Sequence, residues 1–209
     1  MIIKVPNPGT GGQRTLSLRC PSCRQQGTFE PFVNISDVQQ GTTCLGHRRC
    51  PNPECRAHIF VVFDASSATL QMSYPAERID FDSSNIPKAL VDALEEAITC
   101  HANRCFTAAA IMVRKSLEEL CRDRDADGDH LKVRLQALAS KVVLPSELMT
   151  GLDDLRLLGN DAAHLESQAY EQVGQEEVEV GIMFTKEVLK AVYQYQNLLG
   201  RLRSLKKKP

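Results

Sequence analysis

No stretch of the 209 residues comes near the roughly 20 uninterrupted apolar residues that a membrane span requires. Pro6 and Pro8 stand where a secretory leader would carry its apolar core. The expectation is a cytoplasmic protein with no membrane role. Neither sign of charge dominates, with 25 Lys and Arg against 26 Asp and Glu, so bulk charge gives no argument for a polyanionic partner. Internal repeats, low-complexity blocks, Gly-rich phosphate loops, acidic metal pairs and a Ser-His-Asp order are all missing. NTPase and zinc-hydrolase chemistry are disfavoured accordingly. Hydrophobic content of 43% excludes disorder throughout, and the length suits one medium domain or two small ones.

What is present is unevenly placed. Residues 1–64 hold seven Lys or Arg and four Asp or Glu, a net of +3, and the remainder carries −4. Five of the eight cysteines fall in the first 55 residues. In a reducing compartment, clustered cysteines point to metal ligation before disulfides. Cys20-Pro21-Ser22-Cys23 and Cys50-Pro51-Asn52-Pro53-Glu54-Cys55 are two tight turns separated by 26 residues. A hairpin that brings two such turns together gives zinc four thiolates, and four protein ligands leave no open position for water. The expected cofactor is one structural zinc on Cys20, Cys23, Cys50 and Cys55, with Cys44, His47 and His58 as spare donors. The ribbon's function must then come from its surface. Arg19, Arg48 and Arg49 are the candidate contacts to a nucleic acid, with Phe29 and Phe32 nearby but no aromatic ladder.

Strand-like segments at 15–19, 28–35 and 57–64 are separated by Pro, Gly and Asn clusters, the punctuation of a small hairpin sheet. Residues 65–85 read as a linker that ends at a helix start, with Ser84 or Asn85 as cap and Pro87 in the first turn. Helical periodicity follows. The first helix is marked by Leu90, Leu94, Ala97 and Ile98, and the second runs from near Cys105 to Cys121. A third covers Leu131, Leu135, Leu138 and Val142, and a fourth runs from Ser146 to Gly159. A long last helix starts near Gln175. The fold class is α+β: a zinc ribbon over 1–64, a linker over 65–85, an all-α bundle over 86–200 and a basic tail over 201–209.

Near the end of the fourth helix, Arg156, Asn160 and His164 lie at i, i+4 and i+8, one polar stripe about 12 Å long if the segment stays helical. A guanidinium and an imidazole on one stripe can hold a phosphodiester and move a proton. Gly159-Asn160 is equally a good helix stop, and both readings stand at this point.

The order Tyr74-Pro75, Ile86-Pro87, then Arg114 and Leu117-Glu118, then Leu155-Arg156 with Gly159-Asn160 and Ala162-Ala163-His164, resembles the bacterial family called domain of unknown function 4145. That family commonly carries an N-terminal cysteine-knuckle segment and occurs fused to restriction-type enzymes. It is similar in turn to the HEPN helical superfamily, many of whose members are dimeric RNases or RNA binders in defence and toxin systems. The resemblance implies a HEPN-like bundle, a homodimer, and Arg156, Asn160 and His164 as catalytic candidates. The sequence departs from the active pattern. Gly159 stands where the nuclease Arg is expected, and seven residues separate Arg156 from His164. Two functions therefore remain open. One is an RNA-binding protein with metal-independent RNase activity. The other is a non-catalytic dimerisation and docking adaptor for a partner enzyme.

Overall fold

A computed structural model of the chain describes residues 3–163 and 173–205, with side chains from 3 to 158 and from 173 to 205. It divides into two compact units, residues 1–80 and 81–209.

The first unit is built on seven antiparallel strands: β1 (Gly9–Thr10), β2 (Leu16–Arg19), β3 (Gln26–Phe29), β4 (Val38–Gln40), β5 (Thr43–Arg49), β6 (His58–Asp64) and β7 (Leu70–Tyr74). Five form one sheet in the order β1-β4-β5-β6-β7, and β2 pairs with β3. Period-two alternation decides which side chains enter the core. Ile59, Val61 and Phe63 of β6 are buried with Leu16, Leu18, Phe29 and Cys44. Phe60, between them, points the other way and is exposed.

Four strands fall where the sequence reading has none: the short β1 and β4, and the longer β5 and β7. β5 is the central partner of β6, in register from Thr43↔Asp64 to Arg49↔His58. Its polar composition hides it, because one of its inward positions is filled by an arginine. β7 occupies part of the expected linker and pairs with β6 at Phe60↔Tyr74. The expected 28–35 strand is instead Gln26–Phe29, after which only Pro31 bridges to Arg48.

Arg48 was expected at a nucleic-acid surface, and the structure corrects this. Its side chain is wholly buried and paired fork to fork with Asp37, Nη1 to Oδ1 at 2.8 Å and Nη2 to Oδ2 at 2.7 Å. Nη2 also donates to the Arg14 carbonyl at 2.8 Å, and the guanidinium lies 5.4 Å from the Phe63 ring centre. Gly46 makes room for the pair: a Cβ there would overlap the Asp37 carboxylate and sit 2.6 Å from Arg48 Nη1.

The second unit contains α1 (Lys88–Ala102), α2 (Phe106–Asp123), α3 (Leu131–Leu138), α4 (Ser146–Ala163), α5 (Gln175–Leu189) and α6 (Tyr195–Leu205). Leu90, Leu94, Ala97 and Ile98 of α1 are buried, as are Val113, Leu117 and Leu120 of α2 and Leu152, Leu155 and Leu158 of α4. In α1 and α4 this is the periodicity the sequence displays, whereas in α2 the expected marks Leu117 and Leu120 are buried and Ala108 and Ile111 are exposed. α3 ends at Leu138, earlier than expected, where the Lys141 N–H bonds back to the Leu138 carbonyl and tightens the chain into a turn. Gly159 does not stop α4, which continues to Ala163. The long last helix is present, but a π-helical turn at Lys190–Gln194 divides it into α5 and α6. At that turn Tyr193 is buried, donates to Asp123 Oδ2 at 2.6 Å and lies under the Arg124 guanidinium at 4.3 Å. Among the described residues, no helix is long and apolar enough to cross a membrane.

Candidate metal centre and sheet face

Each cysteine turn is closed by its own backbone. The Cys20 N–H bonds to the Gln25 carbonyl at 3.0 Å, and the Cys50 N–H to that of Ala57 at 2.8 Å. The residue after each second cysteine, Arg24 and Arg56, takes a left-handed conformation, with φ of 63° and 48°, which turns the chain back at the same point in both knuckles. The Arg19 guanidinium donates to the Arg24 carbonyl at 3.0 Å, so this candidate contact is half-buried as a clamp on the first turn.

The four sulfurs of Cys20, Cys23, Cys50 and Cys55 lie within 4.8 Å of one another, and all eight cysteines are free. Cys20 Sγ is 3.8 Å from Cys55 Sγ, and Cys23 Sγ is 3.7 Å from Cys50 Sγ. A tetrahedron with metal–sulfur bonds of about 2.3 Å has edges of about 3.8 Å, so the donor set fits a tetrahedral thiophilic cation. Burial pushes the thiols of Cys20 and Cys50 up, whereas the Ala57 N–H brings Cys55 down to about 7. Four thiolates are held together here only if a cation balances them. The spare donors are elsewhere. Cys44 is in the core on β5, and His47 and His58 face each other, Nε2 to Nδ1, at 3.0 Å.

Opposite the core, the outward positions of β5 and β6 bring rings together with Phe32. Phe32 stacks on His47 with centroids 4.7 Å apart, and His47 stacks on Phe60 at 4.8 Å with planes 12° apart. His58 lies 5.7 Å from Phe32, and the Arg49 guanidinium sits 5.6 Å from the Phe32 ring centre. Burial, with the charges of His58 and Arg48 beside it, holds the His47 imidazole below its ordinary range and favours a neutral ring. The expectation of no aromatic ladder is thus corrected, since a stacked row of Phe32, His47 and Phe60 spans β5 and β6. Phe29, by contrast, is wholly buried. Alternation within Ile59–Phe63 is the signal that exposes Phe60, and His47 and Tyr74 become legible once β5 and β7 are recognised.

In the second unit, Arg156 is mostly buried, and its Nε donates to Asp153 Oδ1 at 2.8 Å, which holds that carboxyl low. Asn160 is on α4, with its side chain outside the described ones, and His164 lies outside the described residues. Arg114 and Glu118 form an i,i+4 pair at 3.2 Å.

No curated protein and no solved structure matches the chain. The family described as "Domain of unknown function (DUF4145)" matches residues 95–208, starting beyond Tyr74-Pro75 and Ile86-Pro87. That span covers more than half of the chain and lies in the helical unit, so the chain belongs to the domain of unknown function 4145 family.

Proposed function

We propose that this is a cytoplasmic RNA-binding protein of a bacterial defence or restriction-type system, in which a structural zinc ion holds together a ribbon that precedes a HEPN-like bundle. The observation that carries the reading is the row of stacked rings beside Arg49 on the first unit, half-buried at Phe32 and His47 and exposed at Phe60. Stacked rings with a neighbouring guanidinium take bases and phosphates, and the ribbon carries six basic residues against three acidic ones once the buried Arg48–Asp37 pair is set aside. The four-thiolate set is closed, so its metal supplies folding energy and no reacting water. Eight free thiols suit a reducing compartment.

Binding is favoured over cleavage because the Arg156 guanidinium is engaged by Asp153 on its own helix. The test is a filter or anisotropy titration of zinc-loaded protein with RNA at rising salt, alongside a cleavage assay of wild type and His164→Ala without added metal. Affinity is expected to fall steeply with salt, and wild type to cut no faster than the variant. Cleavage lowered about 10²- to 10⁴-fold by His164→Ala would establish the nuclease reading instead. Absence of RNA binding leaves the docking adaptor.

The same reading includes a homodimer through the helical half. Tyr195, Leu198, Leu199, Leu202 and Leu205 recur at three- and four-residue spacing on α6, each about half exposed or more, and α6 buries no residue in its own chain. Light scattering at micromolar concentration is expected to give twice the 23.2 kDa chain mass, and Leu199→Glu with Leu202→Glu to return it to that of one chain.

A further inference from the structure

The sheet face has a gap as well as a ladder. Phe60 and Tyr74 are directly paired across β6 and β7, and both are well exposed, at 59% and 70%. Yet among the described ring contacts Phe60 stacks on His47 and not on Tyr74. The space beside them is a shallow hollow of about 410 Å³, floored by Leu45, Val62 and Met72 and walled by Phe60, Tyr74 and Ile35. Phe32, which stacks on His47 of the first hollow, lines a second hollow of about 460 Å³ that also carries Arg49, Arg56 and Glu30 beside Pro51 and Pro53. One hollow is apolar and ring-lined, and the other carries two guanidiniums against the one carboxylate of Glu30.

This pairing fits a ligand that alternates flat apolar rings with anionic links. An apolar peptide would satisfy the first hollow and leave the net positive charge of the second unmatched. A duplex presents its phosphates but keeps the faces of its bases stacked inside. RNA offers unstacked bases in loops and single strands, and such bases stack on Phe, Tyr and His rings and on Arg planes. The geometry points to this face as a platform for single-stranded RNA, with one base entering between Phe60 and Tyr74, a neighbouring base on Phe32, and the connecting phosphate against Arg49 and Arg56. The inference rests on the nucleic-acid reading above and assigns it a place and a strand form.

Phe60, Tyr74, Arg49 and Arg56 are exposed and Phe32 is half-buried, so truncating Phe60 leaves the Asp37–Arg48 pair and the four cysteines in place. Full-length zinc-loaded protein is titrated against a labelled oligouridylate of about twelve nucleotides, a matched RNA duplex and a matched oligodeoxythymidylate. Wild type is expected to bind the oligouridylate most tightly. Phe60→Ala is expected to weaken that binding on the order of 5- to 150-fold, the loss of one stacked base, and to leave duplex binding within about twofold. Phe60→Trp, which keeps a stacking surface, restores it. Zinc content and amide protection equal to wild type exclude unfolding of the variants. If Phe60→Ala binds the oligouridylate as wild type does, or if duplex is preferred, the platform is overturned while RNA binding stands. Tighter binding of the deoxy strand overturns the assignment to RNA. If no nucleic acid of any form binds, both the platform and the nucleic-acid reading are overturned.

Discussion

Replacing Cys50 with serine is expected to abolish stoichiometric metal binding and unfold the first unit, while the helices of the second remain. Cys50 is nearly wholly buried and belongs to the core cluster that holds Leu16, Leu18, Phe29 and Ile59, so the four-cysteine site and the apolar cluster form one structure. A unit of about 80 residues with short strands has little core area, and below that size metals or other staples usually supply the missing stability. Structural zinc contributes about 10–16 kcal/mol of apparent binding energy in small zinc modules at neutral pH, more than such a unit can lose and stay folded. Elemental analysis is expected to give one zinc per chain for wild type and none for Cys50→Ser. Hydrogen exchange is expected to report loss of protection over 16–74 and its retention in α1 and α2. Burial keeps the metal-free thiols of Cys20 and Cys50 protonated at neutral pH, so zinc uptake releases protons and strengthens as pH rises. A Cys50→Ser protein with full protection of β5 and β6 would remove the metal from the folding account.

Asp37→Ala is expected to be the most damaging substitution outside the cysteines. It leaves the Arg48 guanidinium wholly buried with no counter-charge, and removing one partner of a buried ion pair costs about 3–5 kcal/mol. Replacing both members, Asp37→Leu with Arg48→Met, should recover most of that loss, because two apolar side chains of similar size carry no desolvation cost. Denaturant melts of the first unit, followed through β5 and β6, measure the difference. An Asp37→Ala protein as stable as wild type would mean that Arg48 finds water or another acceptor. Loss of RNA binding in an Arg48 variant would, on this account, report unfolding and not a lost contact.

These residues mark where the sequence was legible. The knuckles could be read because thiolate spacing is dictated by metal geometry, and the helices because Leu90, Leu94, Ala97 and Ile98 repeat at the helical period on a buried face. β5 could not, because Arg48 and Gly46 fill the positions where an apolar residue would signal a strand. Only the three-dimensional pairing with Asp37 reveals why they are there. β7 has one buried residue, Ser73, and so presents no apolar alternation to read. The ring row was missed for the same reason, since His47 at its centre belongs to β5. The π-helical turn leaves no mark in the hydrophobic pattern, and its effect appears only where Tyr193 turns inward while α6 stays exposed.

The measurement that bears most directly on the account is anisotropy of the labelled oligouridylate with full-length protein before and after zinc is stripped by a chelator, at constant ionic strength. If the zinc-stapled ribbon holds the RNA, binding is lost on chelation and returns with added zinc, although the helical unit stays folded throughout. Unchanged binding after chelation, with the zinc shown to be gone, would contradict the account and place the RNA on the helical half.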